Sequence, residues 1–143
     1  MKKILFCATL LAAMSAHAAN YDIKMLNTGK DGSMVFEPAF VKAKVGDTVT
    51  FKASTTGHSV KSQAVPKGAE SFASGEDEEL VVKLTHEGVY VYNCPPHRMM
   101  NMSGIIQVGK PTNLSEVKPV VAELENRSMQ NKGRLTGYLN QVK

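Results

Sequence analysis

The chain has 143 residues, with 17 basic residues, 13 acidic residues and no tryptophan. Its net charge of +4 is spread out rather than gathered into a basic run, which argues against a nucleic-acid partner. Its two cysteines, Cys7 and Cys94, are too few for a disulfide scaffold.

Residues 1–18 read as a secretory signal to be cleaved. Lys2 and Lys3 form a basic start, and Ile4 to Ala13 is an apolar run too short to span a bilayer. Ala16-His17-Ala18 fits the small-x-small cleavage rule, so the processed chain is expected to begin at Ala19 and to carry no membrane insertion. Removing Lys2 and Lys3 from the 17 basic residues leaves 15 against 13 acids, and Cys7 leaves with them. An exported protein with one thiol needs a use for it: dimerisation, a reactive group or a metal.

Residues 19–143 are expected to form a single domain, a β-sandwich over 19–109 followed by a helical extension over 113–140. Tyr21 to Leu26 alternates in polarity, and Val35-Phe36 precedes Glu37-Pro38. Phe40 to Val45 leads into the turn signal Gly46-Asp47, and Thr48 to Ala53 alternates again. His58 to Lys61 is a short strand candidate. Leu80–Leu84 and Val89–Tyr92 flank His86-Glu87-Gly88, and Gly104 to Val108 closes the series. Short strands with regular turn signals predict an all-β antiparallel sandwich with C-terminal helices. Glu76-Asp77-Glu78-Glu79 reads as a solvated turn rather than a cation site.

The last thirty residues change character. Asn113 with Glu116 three residues on is a helix-start pattern. Pro119 fits the beginning of a second helix better than the interior of the first. Val120, Val121, Leu124, Met129 and Leu135 form a loose apolar stripe. The expectation is one short helix, then a longer, fraying one.

The chemistry is concentrated in Cys94-Pro-Pro-His97-Arg-Met99-Met100-Asn-Met102. Thiolate, imidazole and thioether are copper ligands, and a His2Cys plane with a long axial methionine is the blue-copper arrangement. His97 is set by its spacing from Cys94. Of the remaining histidines, His86 lies in a hairpin turn, while His58 in Gly57-His58-Ser59-Val60 is the better second imidazole. Met102 and Met100 both offer a thioether; Met102, two residues before the glycine that opens the closing strand, is favoured, with Met100 second. Zinc suits Cys and His, but it has no use for thioether and no carboxylate lies in either segment to act as a base. No acid–base pair, nucleophile or phosphate loop points to an enzyme.

These segments resemble the cupredoxins, and among them the pseudoazurins. The resemblance is carried by Met25-Leu-Asn27, Met34 to Ala39, Val45 to Phe51, Gly57-His58, Pro66-x-Gly-Ala-Glu70, Gly88-x-Tyr90 and the Cys94-x-Pro-His97-x4-Met102 loop. It implies a Greek-key β-sandwich plus two C-terminal α-helices. It also implies one type 1 copper ion on His58, Cys94, His97 and Met102, and a periplasmic one-electron shuttle. The implied partners are a cytochrome-type donor and an acceptor such as copper nitrite reductase, with the shuttle a monomer or weakly self-associating. Three departures stand out. Ser59 occupies a position usually held by asparagine. The lysines around the copper end are thinned, with Thr28, Thr56 and Asn93 in their places and Lys30, Lys61, Lys67 and Arg98 as partial replacements. The Arg98-Met99-Met100-Asn101 stretch is also bulkier than usual. A copper-delivery or storage protein holding Cu(I) on Met99, Met100 and Met102 is the alternative.

Overall fold

The computed structural model describes residues 17–143. Most of the expected leader, residues 1–16, lies outside the described residues. Eight strands form two four-stranded sheets: β1 (Asn20–Gly29), β2 (Gly32–Glu37), β3 (Phe40–Ala43), β4 (Thr48–Ala53), β5 (Lys61–Ala64), β6 (Leu80–Lys83), β7 (Gly88–Asn93) and β8 (Ser103–Val108). One sheet has the order β2-β1-β4-β6 and the other β3-β8-β7-β5. Helices α1 (Leu114–Arg127) and α2 (Arg134–Leu139) follow.

The sandwich has the expected two layers, but it is not wholly antiparallel. β1 runs parallel to β4, and β3 parallel to β8. Both pairs join strands reached through connections between the sheets rather than through hairpins, and only a hairpin forces neighbours to run in opposite directions. Between the sheets lies an aromatic core in which Phe36, Phe51 and Tyr92 meet edge-on, with ring centroids 4.9–6.0 Å apart.

β7 and β8 are buried on both faces. Tyr90, Tyr92, Ile106 and Val108 face the inter-sheet core, while Val89, Val91 and Ile105 join Val117, Val121, Leu135 and Tyr138 of the helices in a second cluster. The helices therefore cover the outer face of the β3-β8-β7-β5 sheet, a face the apolar stripe alone left unassigned. Met129 is not part of that cluster; it is 70% exposed.

The helix lengths are the reverse of the expected order. α1 is the longer, at 14 residues, and contains Pro119, whereas α2 has six. Pro119 is tolerated because the carbonyl that loses a partner belongs to Ser115, an exposed residue that water can serve. Asn113 does not cap through its side chain. Its amide instead exchanges two bonds with the Val89 backbone, Val89 N–H to Oδ1 (2.7 Å) and Nδ2 to Val89 O (2.9 Å), which pins the start of α1 to β7.

The strand expected at His58–Lys61 begins only at Lys61. The N–H groups before it go to side chains. Gly57 and His58 donate to Asp77 Oδ1 (2.7 and 3.0 Å), Ser59 to Cys94 Sγ (3.5 Å) and Val60 to Ser74 Oγ (3.1 Å). A backbone occupied in this way cannot join a ladder.

Candidate metal centre

Four chain segments meet at one end of the sandwich. β7 delivers Cys94 just past its last residue, in extended conformation, and Pro95–Met100 then form a short 3-10 turn that carries His97 back over the sulfur. Pro at the first two positions suits such a turn because its missing N–H groups would have found no partner there. The turn closes at Asn101, whose φ of 54° lies in the left-handed region, and the chain re-enters the sheet as β8.

β7 and β8 pair with Asn93 opposite Ser103, so the next position outward sets Cys94 opposite Met102. Cys94 N–H donates to Met102 O (2.8 Å), and directly opposed residues share a face of the sheet. Both side chains are 0% exposed. Met100 sits in the 3-10 turn, half-buried, off this ladder.

His58 Nδ1 lies 3.9 Å from Cys94 Sγ, and His97 Nδ1 lies 3.5 Å from it. The three ligand atoms fall within 4.8 Å of one another, with no carboxylate among them. The rings are 5.0 Å apart and tilted by 55°. His58 is fully buried, and its Nε2 faces Asn27 Oδ1 (2.9 Å) and Thr55 Oγ1 (3.2 Å). A ring that gives its Nε2 proton to Asn27 leaves a lone pair on Nδ1, aimed at the sulfur. His97 is half-buried, among exposed Pro95, Pro96, Arg98 and Met99. His86 is elsewhere, bonded to Thr85 Oγ1 (2.8 Å) in the β6–β7 connection.

Burial disfavours charge on two of these donors. Burial, then repulsion from His97, pulls the His58 pKa below the ordinary histidine value. Burial pushes the Cys94 thiol up, opposed by the N–H groups of Ser59 and His97. A neutral imidazole is the form that binds a metal, and a bound cation reverses the penalty on the thiolate. Buried sulfur, two imidazole nitrogens and an opposed thioether form a soft donor set suited to copper and unsuited to hard cations.

Sequence reasoning missed what orients His58. Asp77, in the acidic run taken as solvated, fixes the Gly57-His58 backbone and in return donates its own N–H to His58 O (2.7 Å). Nothing in Glu-Asp-Glu-Glu distinguishes that one carboxylate. Asn27 was visible only as part of a framework segment. The Ser59 contact with the sulfur runs through its backbone N–H, a donor any residue other than proline would supply.

The sequence pattern of copper binding proteins of the plastocyanin/azurin family matches residues 23–109. The chain is 41% identical over 114 residues to a pseudoazurin of Paracoccus pantotrophus, an alignment that takes in 78% of this chain and 79% of that one. It is 39% identical over 126 residues to a pseudoazurin of Methylorubrum extorquens, covering 83% and 85%. The crystal structure of native pseudoazurin from Hyphomicrobium denitrificans superposes with a TM-score of 0.73 at 33% identity, over 87% of this chain and 98% of that one.

Proposed function

We propose that this chain, which belongs to the plastocyanin/azurin family of copper-binding proteins, holds its copper ion on His58, Cys94, His97 and Met102. It is a type 1 copper electron-transfer protein of the pseudoazurin kind. The observation that carries the ligand assignment is the approach of two Nδ1 atoms and one Sγ to within 4.8 Å, with Met102 opposite Cys94 on the same face.

Bound copper supplies a one-electron Cu(I)/Cu(II) couple. The residues of the chain do the rest. Cys94 offers an electron-rich thiolate, His58 and His97 offer neutral imidazoles suited to both states, and Met102 offers a weak thioether. The aromatic core beneath and the bonds around His58 hold the donors in one arrangement, so little has to move when the charge changes. His97, half-buried next to exposed Pro96 and near exposed Met99, is the point of closest approach for a partner. Electron carriage, not catalysis, fits a site whose donors close on one another.

The partner reading is an acidic redox protein, with a cytochrome-type donor and an acceptor such as copper nitrite reductase. Lys61, Arg98 and Arg127 line a cleft of about 170 Å³ with Gln63, Asn93, Pro95 and Leu124, beside the residues that flank Cys94 and His97. Of the other expected replacements, Lys30 lines a separate cleft by the β1–β2 turn. A cationic cleft at the port favours encounter with a carboxylate-rich face.

Periplasmic export rests on the leader pattern and on the placement of Ala19. Its backbone N–H donates to Asp47 Oδ1 (2.8 Å), so cleavage after Ala18 would set a new ammonium on a waiting carboxylate. Among the described residues no helix is long and apolar enough to cross a membrane. Copper delivery through Met99, Met100 and Met102 is the weaker reading, because Met102 is buried opposite Cys94 while Met99 is 50% exposed. Addition of Cu(II) to the 19–143 protein tests the two: a thiolate site gives an intense visible band, and a Cu(I) thioether site gives none.

A further inference from the structure

Four consecutive carbonyls, those of residues 98–101, lie between His97 and Met102, and the middle two are received by the C-terminal extension. Ser128 Oγ donates to Leu124 O (2.9 Å) and lies 3.4 Å from Arg98 O. Met129 N–H and Gln130 N–H both donate to Met99 O (2.8 and 3.1 Å). Asn131 Nδ2 donates to Met100 O (2.9 Å), and Arg134 Nη1 lies 3.4 Å from Asn101 O. The clasp is reciprocal, because Asn101 Nδ2 donates to Asn131 O (2.9 Å). Both asparagines have φ of 54°, a conformation asparagine tolerates better than most residues. Asn101 and Ser128 are each 2% exposed.

The connector is itself anchored. Glu125 accepts from Gly133 N–H (2.7 Å) and Thr136 N–H (2.9 Å), fixing the start of α2. The Arg134 guanidinium donates to Asp31 O, Ser33 O and Met34 O (2.9–3.0 Å), tying α2 to the β1–β2 hairpin. A surface loop has no such support by default and is ordinarily among the more mobile parts of a fold. Here the stretch between two donor residues is bonded at Met99 O and Met100 O to a segment that follows in the chain.

We propose that Asn131 is a positioning residue for the metal loop: through Met100 O and the Asn101 amide it sets how His97 and Met102 sit against Cys94. The C-terminal helices then tune the copper couple as well as covering a sheet. The proposal rests on the ligand assignment given above, and its test separates the two.

Asn131→Gly keeps the left-handed backbone and removes the amide; Asn131→Asp keeps the shape and removes the donor. Val121→Ala is the comparison, since it loosens α1 on β7 without touching the clasp. In the metal-free protein, hydrogen exchange at the Asn101 and Met102 amides should quicken roughly 3- to 10-fold in both Asn131 variants beyond any change in Val121→Ala, the effect of one lost hydrogen bond. In the copper-loaded protein, both variants should keep one copper and the visible band yet shift the reduction potential and the rhombicity of the electron paramagnetic resonance spectrum. Val121→Ala should lower only Tm. Asn131 variants whose exchange, potential and rhombicity match Val121→Ala would overturn the proposal. A wild-type protein without a visible band would overturn the ligand assignment, and the exchange measurement would still decide whether the clasp orders the loop.

Discussion

His58 and His97 approach the same sulfur from opposite circumstances. His58 is sealed: its ring is fully buried, its Nε2 is bonded by Asn27 and Thr55, and its backbone is bonded by Asp77. His97 rides a short turn at the surface with two prolines and an exposed methionine around it. The upstream side therefore supplies rigidity without access, and the downstream side supplies access. Its rigidity is borrowed from the clasp of the C-terminal connector. An electron carrier needs both properties, and this chain divides them between two segments 36 residues apart at Cys94 and His58.

That division can be broken from either side. The largest effects belong to the sealed side. Asn27→Ala removes the group that orients the His58 ring and should weaken copper affinity about 10- to 100-fold, read by competition with a chelator. An unchanged affinity would mean that burial alone orients the ring. Asp77→Ala removes a charged acceptor from two N–H groups and should cost about 1.5–3 kcal/mol in denaturant unfolding, with faster copper loss. Loss of stability with no change in copper retention would assign Asp77 to the fold rather than to the site.

On the open side, Lys61→Glu with Arg98→Glu should leave affinity and visible spectrum alone. Electron transfer with an acidic partner should slow by roughly tenfold at low ionic strength, and the difference should shrink as salt is added. Equal slowing at all salt concentrations would argue against the cleft as a steering surface.

The smallest effect lies at the far end of β1. Backbone donors from Lys44 and Ala19 hold the Asp47 carboxyl below its ordinary value of 3.8. A depressed carboxylate contributes stability above its unfolded pKa, and that contribution is lost as the pH falls through the lower native value. In a chain starting at Ala19, pairing with this carboxylate is expected to raise the α-ammonium pKa. Its contribution, about 1 kcal/mol or less, is present below the ordinary amino-terminal value near 8 and lost as the pH rises through the native one. Thermal unfolding of the 19–143 chain with and without amino-terminal acetylation, between pH 6 and 10, should differ at the acid end of that range and converge at the alkaline end.

The proposed donors were legible because their chemistry is local. Cys94 and His97 share a turn, and Met102 directly precedes β8, a strand that Gly104 and the apolar residues after it made legible. Gly104 also shows why that position is small: a Cβ there would run into the Tyr92 hydroxyl. Most strands were legible as alternating or short apolar runs between turn signals. β5 was not, because Lys61-Ser-Gln-Ala64 is a polar edge strand with little apolar pattern to read. The helices were legible as helices but not in length, since the cost of Pro119 depends on whether Ser115 O is wet. The supports were the least legible. Asp77 is one of four adjacent acids, and Asn131 lies 30 residues from its partner Asn101. Side-chain bonds to distant backbone leave no periodicity in the chain.

The most direct test of the central claim is the visible spectrum of the 19–143 protein with one equivalent of Cu(II), recorded for wild type and Cys94→Ser and repeated with ascorbate. An intense band in the wild type that bleaches on reduction and is missing from the variant is the predicted result. A colourless wild type that still binds Cu(I), or a band that survives the loss of the Cys94 thiol, would contradict a thiolate-centred electron carrier.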